Sequence, residues 1–257
     1  MIVKWTLRYY STMYGSCFLH FLLQQNFQGD IIFLVIKLMI SPETFYENTL
    51  KGKSEKEIYS KIRGLKNKIG YLKNIVEHPE YQCLIHPSET VRIYCYREYL
   101  ARAIKALADI NVKYTPTKAE LRALSFDENI SSISEIRFSI GGYFGGYTLY
   151  QIDLTQNDIK LLITPPFSDD SESDTLPVCI DKKDFLEQFR EIYIGEWRSR
   201  YVNKGVLDGT QWSLDIYYSN DKRSVHIYGS NAYPYNFDRL CDLLEITEDE
   251  DSDDENV

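Results

Sequence analysis

The spacing of apolar residues changes once along this chain, and that change limits what it can fold into. Ile58, Ile62, Leu65, Ile69, Leu72 and Val76 follow one another in alternating steps of four and three. Such steps lay side chains along one stripe of an α-helix. From Glu135 the period falls to two. Glu135-Ile136-Arg137-Phe138-Ser139-Ile140 alternates polar and apolar residues, as a half-buried strand does. Helices first and strands afterwards predict an α+β fold. The expected architecture is an N-terminal antiparallel helical hairpin, then an antiparallel sheet of about five strands with two helices on one face.

The first helix is expected from Ser54, as N-cap of a capping box with Glu57, to about Glu77 before His78-Pro79. Pro87-Ser88-Glu89 opens a second helix, running to about Ile110. Pro116-Thr117 opens a short third one through Ala123. The outer side of the first helix carries Lys56, Lys61, Arg63, Lys66, Lys68 and Lys73. These are the candidates for contact with phosphate backbones. In the second half, strands are expected at 135–140, 147–154 and 160–164, then after a turn within 205–218, with Trp212, Leu214 and Ile216 on one face, and at 224–228. Helices are expected from Asp181 to about Tyr193 and from Asn236 to Leu244. Residues 165–178 are rich in Pro, Ser and acid and read as a loop.

Charge divides the chain near the same place. Residues 1–125 hold 18 basic and 11 acidic side chains, a net of +7. Residues 126–257 hold 11 and 27, a net of -16. Eight of those acids lie in the last thirteen residues, a segment expected to be disordered. The domain expectation is therefore a basic helical region at 41–126, an acidic α+β domain at 133–244 and a tail at 245–257. Residues 1–40 stand apart as an apolar segment. Neither of its clusters reaches the roughly 20 apolar residues of a membrane span. Met39-Ile40-Ser41-Pro42-Glu43 reads like the opening of a helical protein, so the expected functional start is Met39.

Local motifs exclude more chemistry than they support. Cys17, Cys83, Cys95, Cys179 and Cys241 are odd in number and form no CxxC pair. His20, His78, His86 and His226 form no HxH or HxxxH spacing, so no metal site is expected. The Gly141–Gly146 run, GGYFGG, leads into a strand and lacks the Lys of a phosphate loop. It reads as a tight turn. No cofactor is expected.

Tyrosine is abundant, at 21 residues. Aromatic rings on a sheet or its loops make good protein-recognition surfaces. The candidate contacts are Tyr143, Phe144, Tyr147, Trp212, Tyr217, Asn231 and Tyr233. The segments SIGGYFGGY (139–147), GVLDGTQWSL (205–214) and GSNAYPYNF (229–237) resemble a group of uncharacterised bacterial proteins of Firmicute type. The resemblance spans about 41–244. It implies a bacterial, cytoplasmic protein and carries no activity or catalytic residue.

The leading expectation is a non-catalytic module that binds another protein, in the manner of an immunity protein or antitoxin. The second is nucleic-acid binding through the lysine-rich helix. The third is an enzyme whose site assembles near Asp208, Trp212 and Asn231.

Overall fold

The computed structural model describes residues 40–83, 87–167, 174–177, 181–206 and 208–246, with 174–177 described by backbone alone. The apolar segment up to Met39, the tail beyond Ile246, Cys17, Cys179, His20, His86 and half of the 165–178 loop lie outside them. Among the described residues the fold is α+β, with six α-helices and one mixed, mostly antiparallel sheet. They divide into two compact units.

The first unit comprises residues 40–69 and 87–113. Ser41 caps helix α1 (Pro42–Phe45), its hydroxyl accepting the Thr44 amide at 3.1 Å, and Pro42 occupies the first turn, where no amide donor is needed. Helix α2 (Glu55–Val76) begins with half of the expected capping box: the Glu57 carboxylate accepts the Ser54 amide at 3.0 Å and hydroxyl at 2.8 Å. That backbone bond holds the Glu57 carboxyl down at about 2. Ile58, Ile62, Leu65 and Ile69 are buried, as their spacing predicts. Helix α3 (Glu89–Asp109) is capped by Ser88. It buries Val91, Ile93, Tyr94, Tyr99, Ala103, Ala106 and Leu107. Phe45 stacks on Tyr99 at 4.6 Å, and the Tyr99 hydroxyl donates to the Ile40 carbonyl at 2.6 Å.

The second unit comprises residues 70–83 and 114–246. Its strands are β1 (Ile133–Gly142), β2 (Gly146–Asp153), β3 (Lys160–Thr164), β4 (Asp174–Pro177), β5 (Arg200–Val202), β6 (Gln211–Tyr218) and β7 (Val225–Ser230), in sheet order β4-β3-β2-β1-β6-β7-β5. The five expected strands are joined by two more. β4 pairs with β3 inside the stretch expected to be loop, and β5 runs parallel to β7, so the sheet is not purely antiparallel. Both additions are short edge strands of three or four residues. Too few residues alternate there to give a period, and Pro177 is of a kind tolerated on an edge. The expected meander and final hairpin are joined through β1 and β6, where Phe138 lies opposite Leu214 and Ile136 opposite Ile216.

Helix α4 (Lys118–Glu128) starts with a complete capping box between Thr117 and Glu120. The sequence grouped it with the basic helices. It belongs instead to the sheet unit, because Phe126 near its end joins the sheet's core. The last turns of α2 belong there too. Lys73 pairs with Glu196, and Arg198 reaches Glu77 at 2.6 Å. Burial raises the Glu77 carboxyl above its usual range. One face of the sheet supplies Ile136, Phe138, Ile152, Leu161, Leu214, Ile216 and Ile227 to this core. Helix α5 (Lys182–Glu191) adds Phe185 and Phe189, and helix α6 (Phe237–Leu243) adds Phe237 and Leu240.

Candidate functional site

The β1–β2 hairpin turns over three residues, Tyr143-Phe144-Gly145, with Gly142 paired to Gly146. Gly146 sits at φ +72°, a left-handed conformation that favours glycine and closes a short hairpin. A turn this tight leaves its side chains nothing to pack beneath. Tyr143 is 77% exposed and Phe144 80%, and the two rings meet edge to face, perpendicular at 5.2 Å. Phe167, 84% exposed, lays its ring against Gly146. Tyr147, 43% exposed, follows, its hydroxyl donating to Gln211 at 2.9 Å. One end of the sheet therefore carries four exposed aromatic rings. Isolated exposed apolar residues are ordinary; a contiguous group marks an interaction site.

From Tyr147 the surface continues onto the face of the sheet opposite the core. The alternation that points Phe138 and Leu214 inward points Arg137, Ser139, Ser213, Asp215, His226 and Tyr228 outward. Glu135 accepts both Arg137 donors, at 2.8 and 3.2 Å, and a bond from Gln151. His226 and Asp215 share a 2.7 Å hydrogen bond. Ser139 bonds Ser213 at 2.9 Å. Arg137 lies over Tyr217 at 5.2 Å and Arg200 over Tyr228 at 5.6 Å. The charges on this face are largely matched among themselves.

The structure places the other candidates differently. Trp212 is only 2% exposed and cannot contact a partner. Its indole N–H donates to the Ala232 carbonyl at 3.0 Å, and its ring lies among Trp197, Tyr201, Tyr233 and Phe237. The strand alternation that puts Ser213 outside puts Trp212 inside. Tyr233 packs against the same core. Asn231, at φ +49°, accepts the Thr210 amide at 2.9 Å and donates to the Asp208 carbonyl at 3.2 Å, tying two loops together. Of the three residues near which an assembled site is expected, Trp212 lies in the core, while Asp208 and Asn231 stand in the two tied loops. Asp215, on β6, faces His226.

The six basic candidates on α2 do not form one face. At about 100° of turn per residue, Lys61 and Lys68 flank the buried stripe on one side, Lys66 and Lys73 on the other, and Lys56 and Arg63 lie opposite it. Lys68 sits over Tyr96 at 5.3 Å. Lys73 is engaged by Glu196 and stacks on Tyr235 at 4.8 Å.

A cavity of about 310 Å³ lies along α5, lined among others by Lys182, Lys183, Glu187, Arg190, Ile130 and Asn157. Lys182 donates to the Leu154 carbonyl. Among the described residues there is no cluster of three or more metal-ligating side chains, and no helix long and apolar enough to cross a membrane. Phe167 is the ring that sequence reasoning missed. It lies outside any periodic segment, and only its place after Pro165-Pro166 hinted at an apolar residue in a loop. No family model, no curated protein and no solved structure matches the chain.

Proposed function

We propose that this chain is a non-catalytic protein-binding module, and that it docks its partner through the aromatic end of the sheet. The observation that carries the reading is the exposure of Tyr143, Phe144 and Phe167 together, beside Tyr147. Rigid aromatic side chains contribute large contact area for little lost freedom, which is why they dominate binding hot spots. Residues 126–244 hold 11 basic and 19 acidic side chains. An acidic body with an apolar contact fits the immunity- or antitoxin-like form of the reading, in which a basic partner is held by charge complementarity. Cys83, Cys95 and Cys241 stand as thiols, which suits the reducing, cytoplasmic setting that the reading assumes. We read α2 and α3 as an antiparallel pair. In support, the Tyr59 hydroxyl reaches the Lys113 carbonyl at 3.4 Å, while Lys68, further along α2, meets Tyr96, further back on α3.

The test is affinity capture with the full chain, wild type beside the Tyr143→Ser/Phe144→Ser variant. The expected result is a partner retained by the wild type and at least tenfold depleted on the variant. Adding that partner should also slow amide hydrogen exchange around residues 141–147. Equal retention by both baits would overturn the reading.

A further inference from the structure

We infer that the group received at the hairpin tip is a cation, a Lys or Arg side chain of a basic partner segment; this rests on the protein-binding reading above. The molecule itself shows how its aromatic rings are used. Tyr217 lies beneath Arg137 and Tyr228 beneath Arg200, on the same sheet as the tip. Tyr201 lies under Arg198, Tyr218 under Lys222 and Tyr235 under Lys73. A cation held within about 6 Å of a ring centroid is attracted by the negative π face. The tip rings differ. Among the described residues no cation lies over Tyr143, Phe144, Tyr147 or Phe167, although three of them are the most exposed aromatic side chains of that set.

Their geometry suits that guest. Tyr143 and Phe144 stand at 90° with centroids 5.2 Å apart. Perpendicular rings present π faces in two directions, as the walls of an ammonium-binding aromatic cage do. A carboxylate stands beside them. Gly142 lies against the Gly209 carbonyl, which brings the exposed Asp208 next to the tip. The Asp208 carboxylate accepts only the Gly209 amide, at 2.9 Å, and has no ion pair among the described residues. A second copy of this chain is the poorer occupant, because the chain carries a net charge of -9 and would meet like charge.

Two measurements on the full chain test this. In the first, tetramethylammonium chloride is titrated into protein labelled for aromatic NMR, with sodium chloride at matched ionic strength as control. The expected result is a saturable shift of the Tyr143 and Phe144 ring signals with tetramethylammonium alone; equal response to both salts overturns the inference. In the second, a labelled oligolysine peptide is compared with the same peptide acetylated on every ε-amine, against wild type, Tyr143→Leu/Phe144→Leu and Tyr143→Ser/Phe144→Ser. Leucine keeps apolar area and removes the π face. The expected result is roughly fivefold or greater loss of oligolysine affinity in both variants, with the acetylated peptide weak throughout. If the leucine variant binds oligolysine and the captured partner as the wild type does while the serine variant loses the partner, the cation falls and the docking reading stands. If the serine variant also keeps the partner, both fall.

Discussion

The sheet unit holds two aromatic clusters of similar composition and opposite fate. Around Trp212, the rings of Trp197, Tyr201, Tyr233 and Phe237 close within 4.8–6.5 Å, and each indole N–H has a partner: Ala232 for Trp212 and Asn236 for Trp197. At the tip, Tyr143, Phe144 and Phe167 stand in solvent. Both clusters border glycines. At Gly229 the glycine admits the Trp212 ring, since a Cβ there would overlap the indole. At Gly146 it admits a turn too tight to cover anything. Composition therefore does not separate a core from a contact surface. What separates them is whether backbone closes over the rings or turns away beneath them.

The sharpest way to break this comparison is to remove one ring from each cluster. Trp212→Ala empties the centre of the buried cluster and orphans the Ala232 carbonyl. The expected cost is about 3–5 kcal/mol, typical of removing a large buried aromatic. Chemical denaturation should show an earlier midpoint with little change in slope. A loss below about 1 kcal/mol would mean that the cluster is not a packed core.

Much of this contrast was legible in the sequence, and its limits are physical. The period-two pattern at 135–140 and 211–218 places the core face of β1 and β6, and the caps at Ser54, Ser88, Thr117 and Asp181 mark helix starts. The same alternation assigns Trp212 to the inside. Residue type alone points the other way, since tryptophan is enriched at binding hot spots. Tyr143 and Phe144 were found because glycines flank them. Phe167 was not, because no local pattern says whether a loop aromatic tucks under or stands out. β4 and β5 are too short to show a period and are defined by their pairing with β3 and β7, so neither stretch announces itself. The spread of lysines around α2 was readable from helical geometry and was missed by reading the charges as one face.

A ring of intermediate fate sharpens the comparison. Tyr218 is half-buried, lies under Lys222 at 5.1 Å, and its hydroxyl is buried without a hydrogen-bond partner among the described residues. Burial pushes its ionisation up to about 12. The folded state thus holds this proton more tightly than the unfolded chain, whose tyrosines ionise near 10. Its contribution is complete below about pH 10 and is lost as the pH rises through about 12. Tyr218→Phe removes the unsatisfied hydroxyl and keeps the ring beneath Lys222. The expected result is unchanged or slightly higher stability at neutral pH, by less than about 1 kcal/mol, and a smaller loss of stability between pH 10 and 12. A clear destabilisation at neutral pH would mean that the hydroxyl is satisfied.

The smallest expected effect on stability falls on the tip. Tyr143→Ser/Phe144→Ser removes two rings that touch little besides each other, so the midpoint of unfolding should move by no more than about 0.5 kcal/mol. The left-handed Gly146 and the Gly142–Gly146 pairing do not depend on those side chains, so the hairpin keeps its register. The same variant is expected to lose the partner. An exposed pair that costs almost nothing to remove from the fold is maintained by something other than folding. A large destabilisation would reverse that argument: the rings would then be part of the core's closure, and the tip would lose its standing as a contact surface.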